Sequence, residues 1–312
     1  MGPTVLVYAR GAEPYAAALR CAEPELEVRT AADPASARPL LADTEVVLAW
    51  RMPAELYALA PRLGWVQCMG AGVEDLVAAP TIGPDVAITR IVDQFGASIA
   101  EYVLAELLAR VRRLDELRAS QAARRWQPFV AATLAGRTLG VAGLGSVGAE
   151  IVRKGRAFDM RVHGLSRTAA AGGLVDRHFG PGEWLPFVRD LDVLVLALPL
   201  TPSTRHVVDA PVLGAMRPDS VLVNVGRGAL VREDDLIVAL RAGRPGGAVL
   251  DVFESEPLPR ESPLWQLAGV TVTPHVSGPS RADDVVRFFL DNLGRYRRGE
   301  RLVGRVERTR GY

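Results

Sequence analysis

The sequence predicts an α/β fold built from two doubly wound parallel sheets. Short apolar runs of strand length alternate with segments of helical length, and this alternation occurs twice, in the first hundred residues and again after Gly136. The length of 312 residues agrees, because a chain of this size usually forms one large or two medium domains. We therefore expect two α/β units.

The first unit is predicted to contain five strands: Val5–Tyr8, Leu26–Arg29, Val46–Trp50, Trp65–Cys68 and Val86–Arg90. Ser98 and Glu101 then have the spacing of a capping box, in which hydroxyl and carboxylate satisfy each other's free backbone donors. Apolar residues recur after it at helical spacing, which predicts one arm-like helix over residues 99–125. Such a helix either connects domains, contacts another subunit or packs on its own domain.

The second unit is predicted to contain six strands: Thr138–Ala142, Arg161–Leu165, Val193–Leu198, Val221–Val225, Gly247–Leu250 and Val270–Thr273. Helices are predicted over Val147–Phe158, Arg232–Arg241 and Asp283–Arg298. Six strands with intervening helices are typical of a doubly wound nucleotide-binding domain.

Composition and charge exclude several classes of function. The 37 Lys and Arg residues balance 36 Asp and Glu residues, which excludes a strongly basic nucleic-acid binder. The longest apolar stretch, Val193–Leu200, is shorter than the roughly 20 residues that span a bilayer. Cys21 and Cys68 form neither a disulfide framework nor a metal-ligand pattern, and the N-terminus lacks signal-peptide features. We expect a cytoplasmic protein without metal, nucleic-acid or membrane partners.

A glycine motif predicts a dinucleotide site. Residues Gly143 to Gly148 read Gly-Leu-Gly-Ser-Val-Gly, with a strand before them and a helix after them. The first glycine permits the turn, Gly145 lets the backbone approach a pyrophosphate, and the third permits close packing of helix on strand. The free amides at the helix start, around Ser146 and Val147, then face the phosphates.

The residues after the next strand indicate which dinucleotide binds. NAD sites carry an acidic residue about 20 positions further on, which holds the ribose 2′-hydroxyl. Here that position reads Ser166-Arg167-Thr168, without a carboxylate. An arginine between two hydroxyls favours a 2′-phosphate, so we expect NADP, with NAD possible.

Arginine, acid and histidine follow three predicted strands of the second unit. His275 comes just after the last strand, whereas His163 is expected in a strand and His178 and His206 at the surface. Arg227 lies between two glycines, where its guanidinium can bind a carboxylate. The segment from Asp251 supplies three acids, Asp251, Glu254 and Glu256, any of which could orient an imidazole general acid.

These segments resemble the D-isomer-specific 2-hydroxyacid dehydrogenase family, and within it the glyoxylate/hydroxypyruvate reductase A type. The resemblance is carried by Gly143–Gly148, Val223–Gly228, Asp251–Pro257, Thr273–His275, Gly70–Glu74, Pro257–Trp265 and Arg308–Tyr312, and it spans essentially the whole chain. It implies a Rossmann cofactor domain over residues 99–283, including the arm-like helix. It also implies a smaller, flavodoxin-like substrate domain formed by 1–98 and 284–312, and a homodimer.

The resemblance also implies residue roles. Arg227 binds and polarises a 2-oxoacid, His275 protonates its carbonyl oxygen and Glu256 pairs with His275; Asp251 lies near the nicotinamide. Substrate contacts are implied for the backbone of Ala71, Gly72 and Val73 and for Trp50. Further cofactor contacts are implied for Leu198, Pro199, Thr204, Val225, Gly226 and Ser277.

The implied reaction is NADPH-dependent reduction of a small 2-oxoacid, glyoxylate or hydroxypyruvate, to glycolate or D-glycerate. The sequence departs from the subgroup at Ala169 and Ala170, where a second basic residue is usual, and at Pro279. The alternatives are a dehydrogenase for a bulkier oxoacid or one that uses NADH, and a nicotinamide-sensing binding protein of the same fold. A formate dehydrogenase is expected to carry Gln at the position of Glu256.

Overall fold

The computed structural model describes residues 2–168, 173, 175–309 and 311. The chain divides into two units: Met1–Gln94 with Ser280–Tyr312, and Phe95–Pro279. The expected domain boundaries, after residues 98 and 283, lie a few residues further along the chain. Residues 1, 169–172, 174, 310 and 312 lie outside the description, and with them the predicted departure at Ala169 and Ala170.

The first unit contains a five-stranded parallel sheet in the order β2-β1-β3-β4-β5. Its strands are β1 (Val5–Tyr8), β2 (Val28–Ala31), β3 (Val46–Ala49), β4 (Trp65–Cys68) and β5 (Ala87–Thr89). Its helices are α1 (Glu13–Ala22), α2 (Pro34–Ala37), α3 (Ala54–Tyr57) and α4 (Glu74–Ala78), together with the last helix of the chain, α11 (Ala282–Arg297). All residues of β1, β3 and β4 are buried, as expected for a parallel sheet covered on both faces.

Helix α11 belongs to this unit because its apolar face packs on the sheet. Phe289 stacks on Trp65 of β4 with ring centroids 5.0 Å apart. The Trp65 indole N–H donates to Thr89 Oγ1 at 2.7 Å, which satisfies the one polar atom of this buried ring. Asn292 exchanges two hydrogen bonds with the backbone of Val303, and this fixes the segment that follows the helix.

The second unit contains a seven-stranded parallel sheet in the order β12-β11-β10-β9-β6-β7-β8. Its strands are β6 (Thr138–Ala142), β7 (Arg161–Leu165), β8 (Arg177–Phe179), β9 (Val193–Leu196), β10 (Val221–Asn224), β11 (Gly247–Leu250) and β12 (Val270–Val272). Its helices are α5 (Gly96–Val111), α6 (Leu114–Ala122), α7 (Ser146–Ala157), α8 (Trp184–Val188), α9 (Ala210–Ala215) and α10 (Glu233–Arg241). The chain order reverses between β6 and β9, and the carboxyl ends at such a switch point form the usual ligand crevice.

The predicted fold class is confirmed, with corrections at single elements. The apolar strands occur at their predicted positions, although β2 begins two residues later than the predicted start at Leu26. Strand β8 was not predicted. It has only three residues, two of them Arg177 and His178, so it lacks the apolar run that marks the other strands.

The prediction of a single arm-like helix over residues 99–125 is wrong. Arg113 adopts a left-handed conformation with φ 53° and separates α5 from α6, which ends at Ala122. The prediction of a capping box at Ser98 and Glu101 is also wrong, because α5 begins at Gly96 and Ser98 therefore lies inside the helix. There the Ser98 hydroxyl donates to the carbonyl of Phe95, and the Glu101 carboxylate pairs with Lys154 of α7 at 2.9 Å.

Candidate active site

The glycine turn between β6 and α7 has the shape that a dinucleotide requires. Gly143 has φ +97°, and a Cβ there would lie 2.6 Å from the carbonyl oxygen of Ala197, in the segment after β9. A Cβ on Gly148 would lie 1.8 Å from the Gly143 carbonyl oxygen, so the helix packs on the turn without room for a side chain. By contrast, a Cβ on Gly145 would meet nothing within 4 Å. The backbone is therefore exposed at the point where a pyrophosphate would approach.

Helix α7 begins at this open point. Gly145 is its N-cap and provides no side-chain hydrogen bond, so the first amides, including those of Ser146 and Val147, are not capped by a side chain. Twelve residues of helix then direct the positive end of their dipole toward the turn. The residues present fit a dinucleotide phosphate.

The segment Ser166–Thr168 follows β7, one strand further along the sheet. Ser166 is half-buried, whereas Arg167 and Thr168 are exposed. The Ser166 amide donates to the carbonyl of Phe179 on β8 at 3.1 Å. Ser166 Oγ lies 2.9 Å from His178 Nε2, and His178, which was expected at the surface, is half-buried on this edge strand. This edge strand holds the turn that was predicted to contact the ribose.

The predicted cofactor residues after β9 form an ordered turn. Thr204 Oγ1 accepts from the Thr201 amide at 2.8 Å and donates to the carbonyl of Pro199 at 2.7 Å. The carbonyl oxygen of Leu198 lies near Gly226, 3.0 Å from where a Cβ would stand. The turns after β9 and β10 therefore lie side by side.

Arg227 is presented by a turn that Asn224 braces. The buried Asn224 side chain donates to the Arg227 carbonyl at 2.9 Å and accepts from the Gly226 amide at 3.2 Å. The Val225 amide donates to the Leu196 carbonyl at 3.3 Å, which anchors the start of the turn on β9. The half-buried Arg227 side chain donates from one guanidinium nitrogen to the Gly226 carbonyl at 2.7 Å.

His275 and Glu256 form the pair that the resemblance implies. Nδ1 of His275 lies 2.9 Å from Oε2 of Glu256, although the residues come from the segments after β12 and β11. Glu256 Oε1 also accepts from the amide of Phe253 at 3.2 Å, which orients the carboxylate. His275 itself has φ 54°, an uncommon conformation for a residue with a side chain.

Asp251 holds the histidine segment in place. Its side chain is buried and accepts from the amides of Val276 and Ser277 at 2.9 Å each and from the Thr273 hydroxyl at 2.6 Å. The His275 amide donates to the Asp251 carbonyl at 2.9 Å. The resemblance relates Asp251 to the nicotinamide, whereas these bonds direct its carboxylate to the backbone around His275.

Tyr102 of α5 extends this network. Its hydroxyl lies 2.7 Å from Thr273 Oγ1. Because the Asp251 carboxylate can only accept, Thr273 donates to it, and Tyr102 must therefore donate to Thr273. Burial raises the pKa of Tyr102 to about 12, so the phenol keeps its proton at neutral pH. A chain of donors thus links α5 to the segment that carries His275.

Glu254 takes a different role from Glu256. The amide of Glu254 donates to Glu233 Oε1 at 2.5 Å, and the amide of Glu233 donates to Glu254 Oε1 at 3.1 Å. Burial raises the pKa of Glu233. His206 Nε2 lies 3.0 Å from Glu254 Oε1 without hydrogen-bond geometry, and the His206 side chain, which was expected at the surface, is 24% exposed. These reciprocal bonds fasten the Glu256 segment to α10.

In the first unit, the predicted substrate residues lie at the carboxyl end of its sheet. Gly70, Ala71, Gly72 and Val73 connect β4 to α4, and the Cys68 thiol donates to the Gly72 carbonyl at 3.2 Å. Trp50, at the end of β3, covers Gly70: a Cβ on that glycine would lie 2.6 Å from the indole.

Three residues that hold the turns at the strand ends were missed by sequence reasoning: Asn224, Tyr102 and His178. Asn224 stands inside the apolar run of β10, and a polar residue in a buried strand is the signal that could have identified it. Within the described ranges, no helix is long and apolar enough to cross a membrane. The same ranges contain no group of His, Cys, Asp and Glu side chains that could hold a metal ion.

Comparison with known proteins agrees with this architecture. Residues 104–277 match the family model "D-isomer specific 2-hydroxyacid dehydrogenase, NAD binding domain". A D-isomer-specific 2-hydroxyacid dehydrogenase family protein from Aeromonas salmonicida is 35% identical, with a TM-score of 0.92 over 99% of this chain and 100% of that one.

Two further structures are similar over essentially their whole lengths. A D-isomer-specific 2-hydroxyacid dehydrogenase from Xanthobacter autotrophicus, in complex with NADPH and MES, is 33% identical with a TM-score of 0.90 and covers 100% of both chains. An NADPH-dependent glyoxylate/hydroxypyruvate reductase from Sinorhizobium meliloti, in complex with NADP and sulfate, is 29% identical with a TM-score of 0.89, over 99% of this chain and 100% of that one. The chain belongs to the D-isomer-specific 2-hydroxyacid dehydrogenases, a family of NAD(P)-dependent oxidoreductases.

Proposed function

We propose that the protein reduces a small 2-oxoacid, glyoxylate or hydroxypyruvate, to the 2-hydroxyacid with NADPH, and that His275 is the general acid. The observation that carries this proposal is the 2.9 Å contact between His275 Nδ1 and Glu256 Oε2 at the carboxyl ends of neighbouring strands. A dinucleotide whose pyrophosphate is held by the glycine turn and the start of α7 would supply the hydride from its reduced nicotinamide.

The pair determines which nitrogen of His275 carries the reacting proton. A carboxylate only accepts, so Nδ1–H donates to Glu256 and Nε2 is left to hold the second proton of the imidazolium. When Nε2 gives that proton to the oxoacid oxygen, the neutral ring remains in the tautomer that Glu256 already holds. The carboxylate stabilises the charged ring before transfer and orients the neutral ring after it.

Arg227 binds the oxoacid. Its planar guanidinium can take the carboxylate and the neighbouring carbonyl oxygen together, which a lysine ammonium cannot do in the same geometry. Hydrogen bonds between the Asn224 side chain and the backbone of Gly226 and Arg227 hold this turn, so the Arg227 side chain projects from a fixed position. From the resemblance we also propose substrate contacts for the backbone amides of Ala71, Gly72 and Val73.

NADPH is proposed because the turn after β7 carries Arg167 between two hydroxyls and no carboxylate. An acidic residue at this turn would repel a 2′-phosphate, whereas the guanidinium attracts it. The Xanthobacter and Sinorhizobium proteins described above contain NADPH and NADP, which supports the same choice for this chain.

The proposal is tested by following loss of reduced-nicotinamide absorbance with purified protein. Glyoxylate and hydroxypyruvate are compared with pyruvate and a branched-chain oxoacid, each with NADPH and with NADH. We expect the highest kcat/KM for the first two substrates with NADPH. Faster reduction of the branched oxoacid would favour a dehydrogenase for bulkier substrates. Tight NADPH binding without turnover of any oxoacid would favour a cofactor-sensing binding protein.

We also propose that the chain forms a homodimer through the segment after α6. Trp126 and Val130 of this segment are 95% and 98% exposed, and apolar side chains so exposed are typical of contact surfaces. Light scattering of the purified protein should give twice the mass of one chain. Monomeric mass at micromolar concentration would contradict the dimer and leave the proposed reaction unaffected.

A further inference from the structure

A second histidine forms a hydrogen-bond chain away from His275, at the edge of the seven-stranded sheet. His178 lies on β8, paired with Gly164 of β7, and is half-buried. Its Nε2 lies 2.9 Å from Ser166 Oγ, and Ser166 Oγ donates to the Thr168 carbonyl at 2.9 Å. The chain therefore spans the turn that presents Arg167.

The direction of the protons in this chain follows from the chemistry of its last member. A carbonyl oxygen only accepts, so the single hydroxyl proton of Ser166 is donated to Thr168. Ser166 Oγ has no second proton to give to His178, and Nε2–H must therefore be the donor. Because His178 donates, the Ser166 proton remains available to an acceptor: the Thr168 carbonyl here, or a phosphate oxygen that replaces it.

Asp176, the acidic residue near this turn, does not compete for the protons of the hydrogen-bond chain from His178 through Ser166 to Thr168. Asp176 Oδ1 accepts from the guanidinium of Arg156 at 2.7 Å, and its Oδ2 accepts from the amide of Val162 at 2.6 Å. The Arg177 guanidinium lies over the ring of Phe179, 4.4 Å from its centroid. The Ser166–Thr168 turn thus presents the Arg167 guanidinium together with hydroxyl donor hydrogens, the combination that binds a phosphomonoester.

We propose that His178 is a positioning residue that determines the preference for a 2′-phosphorylated dinucleotide. It acts through Ser166: it orients the hydroxyl as a donor and holds the turn on which Arg167 stands. The inference rests on the proposed use of NADPH. It assigns part of the discrimination between NADPH and NADH to a side chain of the edge strand, in addition to those of the turn itself.

The test is calorimetric binding of NADPH, NADH and the fragment 2′,5′-ADP to wild type, His178→Leu and His178→Gln. Leucine keeps an apolar side chain without a donor, whereas the glutamine amide can donate from a position similar to Nε2. We expect His178→Leu to weaken NADPH and 2′,5′-ADP on the order of tenfold, the effect of losing one well-placed hydrogen bond, with NADH unchanged. His178→Gln should restore most of the affinity.

A Ser166→Ala background separates positioning from a general structural effect. If His178 acts through Ser166, His178→Leu causes no further loss of NADPH affinity in that background. His163→Leu is the matched control: this imidazole is also half-buried, on the adjacent strand β7, and its Nδ1 has no hydrogen-bond partner among the described residues. It should leave the ratio of NADPH to NADH affinity unchanged.

The outcomes separate this inference from the proposed function. Equal loss of NADPH and NADH in His178→Leu, or an unchanged NADPH preference in that variant, would overturn the role of His178 alone. A wild-type protein that binds NADH as tightly as NADPH would overturn the proposed cofactor and the inference with it. Circular dichroism of each variant checks that the fold is retained.

Discussion

At the scale of single residues, the arrangement at the strand ends depends on side chains that fix backbone. The Asn224 carboxamide spans the Gly226–Arg227 turn, and the Asp251 carboxylate accepts three hydrogen bonds from Thr273, Val276 and Ser277. Each buried polar group is therefore satisfied by the segment that it holds, and its removal would leave buried amides without partners. The Asn224 and Asp251 side chains thus hold in place the backbone segments that carry Arg227 and His275.

We expect Arg227→Lys to lower kcat/KM for glyoxylate about 30-fold, or about 2 kcal/mol, mainly through KM. The ammonium keeps the charge but loses the planar pair of donors that fits a carboxylate. Initial-rate kinetics with saturating NADPH measures the change. Arg232→Lys is the matched control, because this exposed arginine lies 3.5 Å from Asp235 on the surface. Equal kcat/KM values for Arg227→Lys and wild type would remove Arg227 from substrate binding.

At the scale of elements, the turns after β10 and β11 touch at a glycine. A Cβ on Gly228 would lie 1.8 Å from the carbonyl carbon of Phe253, a backbone atom that has no flexible end to move away. Phe253 leads directly to the Glu256 segment, so the contact sets the distance between the Arg227 turn and the Glu256–His275 pair.

Gly228→Ala is therefore expected to lower the free energy of unfolding by about 1–3 kcal/mol and to reduce kcat. Gly214→Ala in α9 is the matched control, because a Cβ there meets nothing within 4 Å and alanine favours a helix. Thermal unfolding and initial rates of both variants measure the difference. A Gly228→Ala protein as stable and active as Gly214→Ala would contradict the close contact.

His163 on β7 makes the stability of the second unit depend on pH. Burial, and next the charge of Arg177, lower the pKa of this imidazole below its ordinary value of 6.5. The unfolded chain then binds more protons than the folded chain, so the stabilisation is complete above pH 6.5 and is lost as the pH falls toward the folded-state pKa. We expect His163→Leu to flatten this part of the curve of unfolding free energy against pH. If the unfolding free energy of His163→Leu depended on pH as steeply as that of the wild type, the role given to His163 would be contradicted.

The sequence was most informative where elements are local and apolar. Nearly continuous apolar runs predicted β1, β3, β4, β6 and β10 because parallel strands are buried on both faces. Strand β8 was missed because its pairing with β7, rather than its composition, makes it a strand. The break at Arg113 was missed because the apolar spacing continues on both sides of it.

Side-chain networks were less predictable. The link between Tyr102 and Thr273 joins residues 171 positions apart, and no local pattern encodes such a contact. The choice of Glu256 over Glu254 came from the family resemblance, since both acids follow the same strand. The structure gives the physical difference: Glu254 is bonded to α10, whereas Glu256 reaches His275.

At the scale of the whole molecule, both units are parallel α/β structures, and in each the predicted functional residues follow the carboxyl ends of strands. In the second unit, the glycine turn after β6, the Ser166–Thr168 turn after β7, Arg227 after β10 and His275 after β12 lie along one edge of a single sheet. Each position depends on where its own strand ends, so the predicted functional residues of this unit are distributed over several short segments of the chain.

The proposed reduction of an oxoacid requires one proton, and the source of that proton is tested most directly by the kcat of His275→Gln with glyoxylate at saturating NADPH. Glutamine can still hydrogen-bond Glu256 but cannot transfer a proton. We predict a loss of kcat of roughly 10²–10⁴-fold, with calorimetric NADPH affinity unchanged. Turnover within a few-fold of wild type would contradict the assignment of His275 as the general acid.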